Sequence, residues 1–245
     1  MRVTESEVRR SYDRIAKKYH EGRKTGWKMV YNEFNEVPAT LSLLEKIKGK
    51  KVLDLGCGTG IYTKILKRKG AKVQAIDISP KMIEIAKQYV RGVDFKIGTV
   101  YNLPYKSGSF DIVLASLVVH YFANLDAAFE EVRRVLKKGG FFIFSSYNPV
   151  MAITHRMKGR PRKYRIFGDY FDEGKFYKRW PRIKVRMPYQ HFTFQTWIRT
   201  IVGNGFVLDD FVDSKTTKEA AKYDRSMYEF TSKTPWYSVW KIRKV

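Results

Sequence analysis

The sequence predicts an α/β fold, and two observations carry that prediction. Short apolar runs alternate along the chain with segments whose apolar residues recur at helical spacing. Where the first such run meets the helix after it, glycines stand at alternate positions, Gly56, Gly58 and Gly60. A length of 245 residues fits one domain, or one domain with a lid. With 44% hydrophobic and 29% charged residues the chain can build a core, and no repeat or low-complexity tract interrupts it.

The elements follow in order. Residues 4–22 place Val8, Tyr12, Ile15, Ala16 and Tyr19 at helical spacing, with Thr4 as N-cap and Glu7 three residues on. Lys51–Leu55 reads as a strand, and Ile61–Lys69 as a helix ended by Gly70. Lys72–Ile76 is a second strand. Ser79 caps a helix over 80–91 that Pro80 opens. Phe95–Ile97, Phe110–Ala115 and Phe141–Ser145 read as further strands, with a helix over Asp126–Leu136 before the last of them. A late helix is expected at Thr193–Val202, ended by Gly203 and Gly205, and late strands at Phe206–Val212 and Trp236–Ile242. Residues 150–190 fit the alternation poorly: prolines and aromatics crowd there, and the stretch reads as an insertion between a strand and the following helix. The expected organisation is one domain over 1–245, with residues 1–48 as a helical cap and 150–190 as a basic aromatic insertion.

Composition excludes several classes. A single cysteine, Cys57, leaves no disulfide framework and no cysteine metal cluster. No group of His, Asp and Glu stands at ligand spacing, so no metal is expected. The longest apolar run, Ile112 to Val119, is far below the roughly 18 residues a membrane span needs. The first twenty residues mix charges of both signs, so no secretory signal is expected and a cytoplasmic location is. The chain holds 48 basic and 24 acidic residues, a formal charge of +24. The densest stretch, Arg156–Arg186, has 12 basic against 3 acidic side chains.

The run Val52-Leu53-Asp54-Leu55-Gly56-Cys57-Gly58-Thr59-Gly60 carries the chemistry. Glycine allows positive φ and lets a ligand approach the backbone without a Cβ in the way. The helix behind the loop offers unpaired N–H groups. A dinucleotide fingerprint would need a glycine where Ile61 stands, and a phosphate-binding Walker loop would need a Gly-Lys-Ser/Thr ending. Asp54, close to the loop, favours a ligand ammonium over a pyrophosphate. Asp77 ends the second strand, and one carboxylate can accept from both hydroxyls of a ribose.

On Asp54-Leu55-Gly56-Cys57-Gly58-Thr59-Gly60 the sequence resembles the class I S-adenosylmethionine-dependent methyltransferases of the small-molecule, methyltransferase-11-like type. Leu103-Pro104-Tyr105, Ser109-Phe110-Asp111 and Arg134-Val135-Leu136-Lys137-Lys138-Gly139-Gly140 continue the pattern, so the firm resemblance covers about 50–146. It implies a Rossmann-like open sheet, mostly parallel with an antiparallel late strand and helices on both faces. N-terminal helices and an insertion after the fifth strand would form a lid. It implies S-adenosylmethionine as cofactor and S-adenosylhomocysteine as product. Asp54, Gly56, Cys57, Gly58 and Gly60 would surround the amino-acid portion, Asp77 the ribose, and Ile78 the adenine ring. Thr99 stands where the family often has an acid for the adenine edge, which leaves the Val100 N–H. Ser116 lies at the end of the fourth strand. Tyr12 and Tyr19, two helical turns apart, resemble residues of the helix that covers the cofactor.

Acceptors in such sheets bind beyond the strands' carboxyl ends. His120, with an ordinary pKa of about 6.5, is the candidate for a general base or for orienting the acceptor. Tyr121, His155, Tyr170, Trp180 and His191 are candidates for the acceptor wall. The Asn-Pro-Pro-Tyr signature of nucleobase amino methylation is missing. Two acceptors remain open. A small molecule is favoured, since no separate RNA-binding module is visible and the basic charge is spread over the whole chain. An RNA gripped by the basic, aromatic insertion is the alternative.

Overall fold

In the computed structural model, which describes residues 2–25, 29–156, 164–166, 168–180 and 183–245, the apolar runs become the centre of one sheet. They form β1 (Lys51–Leu55), β2 (Lys72–Asp77), β3 (Asp94–Ile97), β4 (Phe110–Ala115) and β5 (Leu136–Tyr147). The insertion adds a short pair, β6 (Thr154–Arg156) with β7 (Tyr164–Ile166), and a hairpin, β8 (Lys175–Trp180) with β9 (Val185–Gln190). The chain returns to the sheet with β10 (Phe206–Asp213) and β11 (Tyr237–Lys244). The seven-stranded order is β10-β11-β5-β4-β1-β2-β3, and β11 runs antiparallel to both β10 and β5, as the resemblance implies. Strand order reverses between β1 and β4, which opens a crevice beyond their carboxyl ends.

The helices are α1 (Glu5–Thr25), α2 (Val37–Ser42), α3 (Ile61–Arg68), α4 (Pro80–Tyr89), α5 (Leu125–Val135), α6 (Pro149–Ala152), α7 (Phe194–Gly203) and α8 (Arg225–Thr231). Their starts follow the capping residues: Ser79, Asn124, Thr193 and Asp224 each accept a backbone N–H of the first turn. Alternation along β5 sends Phe142 and Phe144 into one layer, against Phe129, Trp197, Phe206 and Trp240. Ile143 enters the other layer, with Val52, Leu66, Leu114 and Val239. These two layers fix the ends of β1, β2, β4 and β5, where the site lies.

Three departures from the sequence reading are local. β5 begins at Leu136 rather than Phe141, because Leu136 pairs with Phe110 while Lys137–Gly140 bulge out through Gly139, at φ +73°. A π-helical turn, Asn32–Glu36, precedes α2, held by Asn35 to the side chain of Thr216 and by Ser214 to Asn35. In the insertion the β8–β9 hairpin forms, whose Ile183 and Met187 pack on Ile15 of α1. No described helix is long and apolar enough to cross a membrane.

Candidate active site

Beyond the crevice lies a cavity of about 1570 Å³, more than the roughly 300–1000 Å³ usual for one small ligand. Gly56 and Gly58 leave β1 with φ of +69° and +54°. A Cβ on Gly56 would sit 2.4 Å from Val118 Cγ2, so a larger residue displaces the chain after β4. Space above Gly58 is open until Tyr19, 3.9 Å from where a Cβ would be. The loop is pinned from below: Gly56 N–H donates to Ile76 O at 2.8 Å. From the side, Gly58 N–H donates to Asp77 Oδ2 and Ser79 N–H to Asp77 Oδ1, both at 2.8 Å. Asp77 is thus a carboxylate fixed by two backbone donors, with lone pairs left for the cavity it lines. Burial pushes its pKa up to about 6 against those bonds.

The other loop residues play different parts from those expected. Asp54 is buried at 2% exposure and is absent from the cavity wall. It accepts from Thr63 Oγ1 at 2.5 Å, and burial raises its pKa to about 7. Its carboxylate therefore braces the first turn of α3 beneath the loop. Cys57 is also buried out of the wall, packed with Ala75, Ile83 and Ala86, and burial raises its thiol pKa well above the usual value. Gly60 is the left-handed N-cap of α3 at φ +84°, set close against Val90 and Ala86, and does not reach the cavity.

Ile78, Thr99 and Val100 line the cavity beyond β2 and β3. The Thr99 hydroxyl donates to the carboxylate of Glu5, in the first turn of α1. An acid thus stands beside Thr99, delivered by the N-terminal helix rather than by β3. Ser116 lines the cavity and donates to Glu36 Oε1 at 2.8 Å. Glu36, fully buried on the π turn, also accepts from Thr40, Ser145 and Tyr62. Tyr12 and Tyr19 do point the same way, ring centroids 5.9 Å apart, and both form the roof. Tyr19 stacks on Trp180 of the hairpin at 6.3 Å, and Tyr12 OH donates to Tyr121 OH at 2.9 Å.

On the far side, His120 sits on a 3-10 turn, Val119–Tyr121, with its ring 4.9 Å from that of Tyr147. It is 2% exposed, and burial together with the nearby Lys178 charge holds its pKa down to about 3. A neutral imidazole with that affinity for protons is a poor general base at neutral pH, which departs from the expectation of an ordinary histidine. Tyr121 and Trp180 line the cavity. Tyr170 and His191 do not. His191 Nε2 bonds to Tyr170 O at 2.9 Å and Tyr170 OH accepts from Phe194 N–H at 2.9 Å, so the two tie the insertion to the start of α7. The side chain of His155 lies outside the described residues.

Comparison with known proteins agrees with this geometry. Residues 53–144 match a family described as a methyltransferase domain. An uncharacterized protein of Haemophilus influenzae is 32% identical over 188 residues, 71% of this chain and 72% of that one. The demethylmenaquinone methyltransferase of Thermotoga maritima is 31% identical over 155 residues, 60% of this chain and 64% of its own. The crystal structure of an S-adenosylmethionine-dependent methyltransferase from Mesorhizobium loti superposes with a TM-score of 0.73 at 25% identity, over 85% of this chain and 97% of that one. The chain belongs to the class I S-adenosylmethionine-dependent methyltransferases.

S-adenosylmethionine is the methyltransferase's cofactor. Four residues around its cavity escape a reading of the sequence. Glu5 and Glu36 are two of them. Arg23 is a third: it is buried in α1, bonds Glu33 and Tyr19 OH, and keeps one buried guanidinium nitrogen without a partner. Burial works against its charge, yet Tyr19, Glu33 and Glu36 hold its pKa above the usual value. The fourth, Lys178 on β8, is 6% exposed and lines the cavity. A charge run in the sequence gives no sign of which lysine folds inward.

Proposed function

We propose that this methyltransferase moves the methyl group by direct in-line displacement to a small-molecule acceptor. The observation that carries the reading is the lining: Tyr12, Trp180, Tyr121 and Tyr147 give the acceptor half an aromatic wall within a partly open cavity. Such a pocket suits a small acceptor better than a polymer backbone. The related T. maritima protein is named for a small acceptor, demethylmenaquinone, which supports the same class.

In this reading Asp77 accepts from the ribose hydroxyls, and Ile78 and Val100 flank the adenine. Glu5, next to Thr99, accepts from the adenine amino group. The open face over Gly56 and Gly58 receives the methionyl portion beneath Tyr19. The bound cofactor supplies an electrophilic methyl on a sulfonium. The protein's part is alignment and the exclusion of water by the aromatic roof. Holding two reactants in line can contribute about 7–11 kcal/mol. His120, neutral between pH 5 and 8, orients an acceptor through a hydrogen bond rather than by taking its proton.

A second reading, an RNA acceptor, is favoured by the 12 basic against 3 acidic residues of Arg156–Arg186. One experiment separates the two. Labelled-methyl transfer to cell extract split into RNA, protein and metabolite pools is expected to label the metabolite pool. Label confined to RNA, with salt-sensitive tRNA binding, would overturn the small-molecule reading.

A further inference from the structure

The acceptor half of the cavity holds a buried lysine that no carboxylate among the described residues pairs with. Lys178 Nζ lies 4.1 Å from the ring centroid of Tyr147, 4.5 Å from Trp236 and 5.5 Å from Tyr189. Among the described residues it donates one hydrogen bond, to Met151 O at 3.4 Å, although an ammonium has three donors. No acidic side chain among the described residues pairs with it. Aromatic faces offset part of the cost of taking an ammonium out of water, but a buried charge is ordinarily paired.

Charge around the cavity is divided. The two acids in its wall, Glu5 and Asp77, stand on the cofactor side at the ends of β3 and β2. Four basic side chains, Lys178, Arg179, Lys184 and Arg186, come from the hairpin on the opposite side, and no acid lies among them. Three of these are solvent-exposed; Lys178 alone is buried, between the acceptor-side residues Tyr147 and Trp236. An oxyanion bound beside this amine keeps it in the ammonium form, and the pair is strong because little solvent screens it.

We propose that the acceptor carries an oxyanion, a carboxylate or a phosphate, and that Lys178 pairs with it to hold the acceptor in line with the methyl group. This deepens the small-molecule reading and rests on it. The lysine is a binding and positioning group, and the methylated atom is a neighbour of the oxyanion within the same small molecule.

The test uses the full-length enzyme loaded with S-adenosylhomocysteine and four probes of similar size: phenylacetate, phenyl phosphate, phenylacetamide and phenethylamine. Calorimetry should show at least one of the two anions binding about tenfold or more tighter than the neutral amide and the amine. Which anion wins distinguishes carboxylate from phosphate. Lys178→Met should cost that anion about tenfold, with the amide and S-adenosylhomocysteine unchanged. Lys178→Arg, which keeps the charge, should recover part of the loss. Unchanged anion affinity in Lys178→Met overturns the proposal, as does equal affinity for the four probes or no binding by any of them. Failure to bind S-adenosylhomocysteine would instead strike the cofactor site, and transfer of label to RNA alone would strike the small-molecule reading.

Discussion

Replacing Asp77 by asparagine tests the cofactor site with the least change in shape. Both carboxylate oxygens accept a backbone N–H, from Gly58 and from Ser79, each at 2.8 Å. Asparagine offers one oxygen and one NH2, so one of those N–H groups would face another donor. A buried donor left unsatisfied costs about 1–3 kcal/mol, and a hydrogen bond from a ribose hydroxyl to a charged acceptor is worth about 1.5–3 kcal/mol. The first cost is present with and without ligand and so falls on folding; the second falls on affinity for S-adenosylhomocysteine and predicts a loss of roughly 10- to 150-fold. Calorimetry at pH 7.5 measures it, with thermal melting as a check on folding. The same carboxyl titrates at about 6 in the empty site. Wild-type affinity should therefore fall as pH drops below 6, and the variant's should not. A variant that binds within threefold of wild type, with no change in its pH profile, would refute the assignment of this carboxylate to the ribose.

Gly56→Ala should also lose cofactor affinity, since its Cβ meets Val118 at 2.4 Å and its φ is +69°; the left-handed backbone alone costs about 1–2 kcal/mol. Wild-type affinity in that variant would mean the loop moves freely. Asp54 has a folded pKa of about 7 against 3.8 for an ordinary aspartate, so protonation favours the folded state. Its contribution is full below pH 4 and lost as pH rises through 7. Melting temperature at pH 8 should rise in Asp54→Asn, which can still accept from Thr63, and the gain should vanish at pH 4. The pKa of Lys178 is held down to about 7 by burial, whereas His120 is at about 3. A break in turnover near pH 7 should persist in His120→Asn and disappear in Lys178→Met; the reverse pattern would restore histidine as the base.

The sheet was legible where local pattern decides structure. β1 to β4 and the helices α3 to α5 come from short apolar runs, caps and glycines that act within a few residues. The contact between the glycine loop and Asp77 has the same local origin, because Asp77 lies 19 residues from Gly58 in a strand-helix-strand unit. Asp54 and Cys57 were misplaced because a loop motif gives no facing: one strand residue points into the cavity and its neighbour beneath it. Glu5 and Lys178 depend on remote partners. Glu5 meets Thr99 across 94 positions, and the rings around Lys178 come from β5, β9 and the turn before β11. Tyr170 and His191 read as a lid because aromatics stood in a basic stretch, yet hydrogen bonds to peptide groups turn them toward α7.

Glu7 joins the two halves of the roof: its carboxylate meets Lys175 Nζ at 2.7 Å and Tyr177 OH at 3.0 Å, so α1 is latched to the hairpin. The helix that carries Tyr12 and Tyr19 and the hairpin that carries Trp180 are therefore coupled: neither swings away while that ion pair holds.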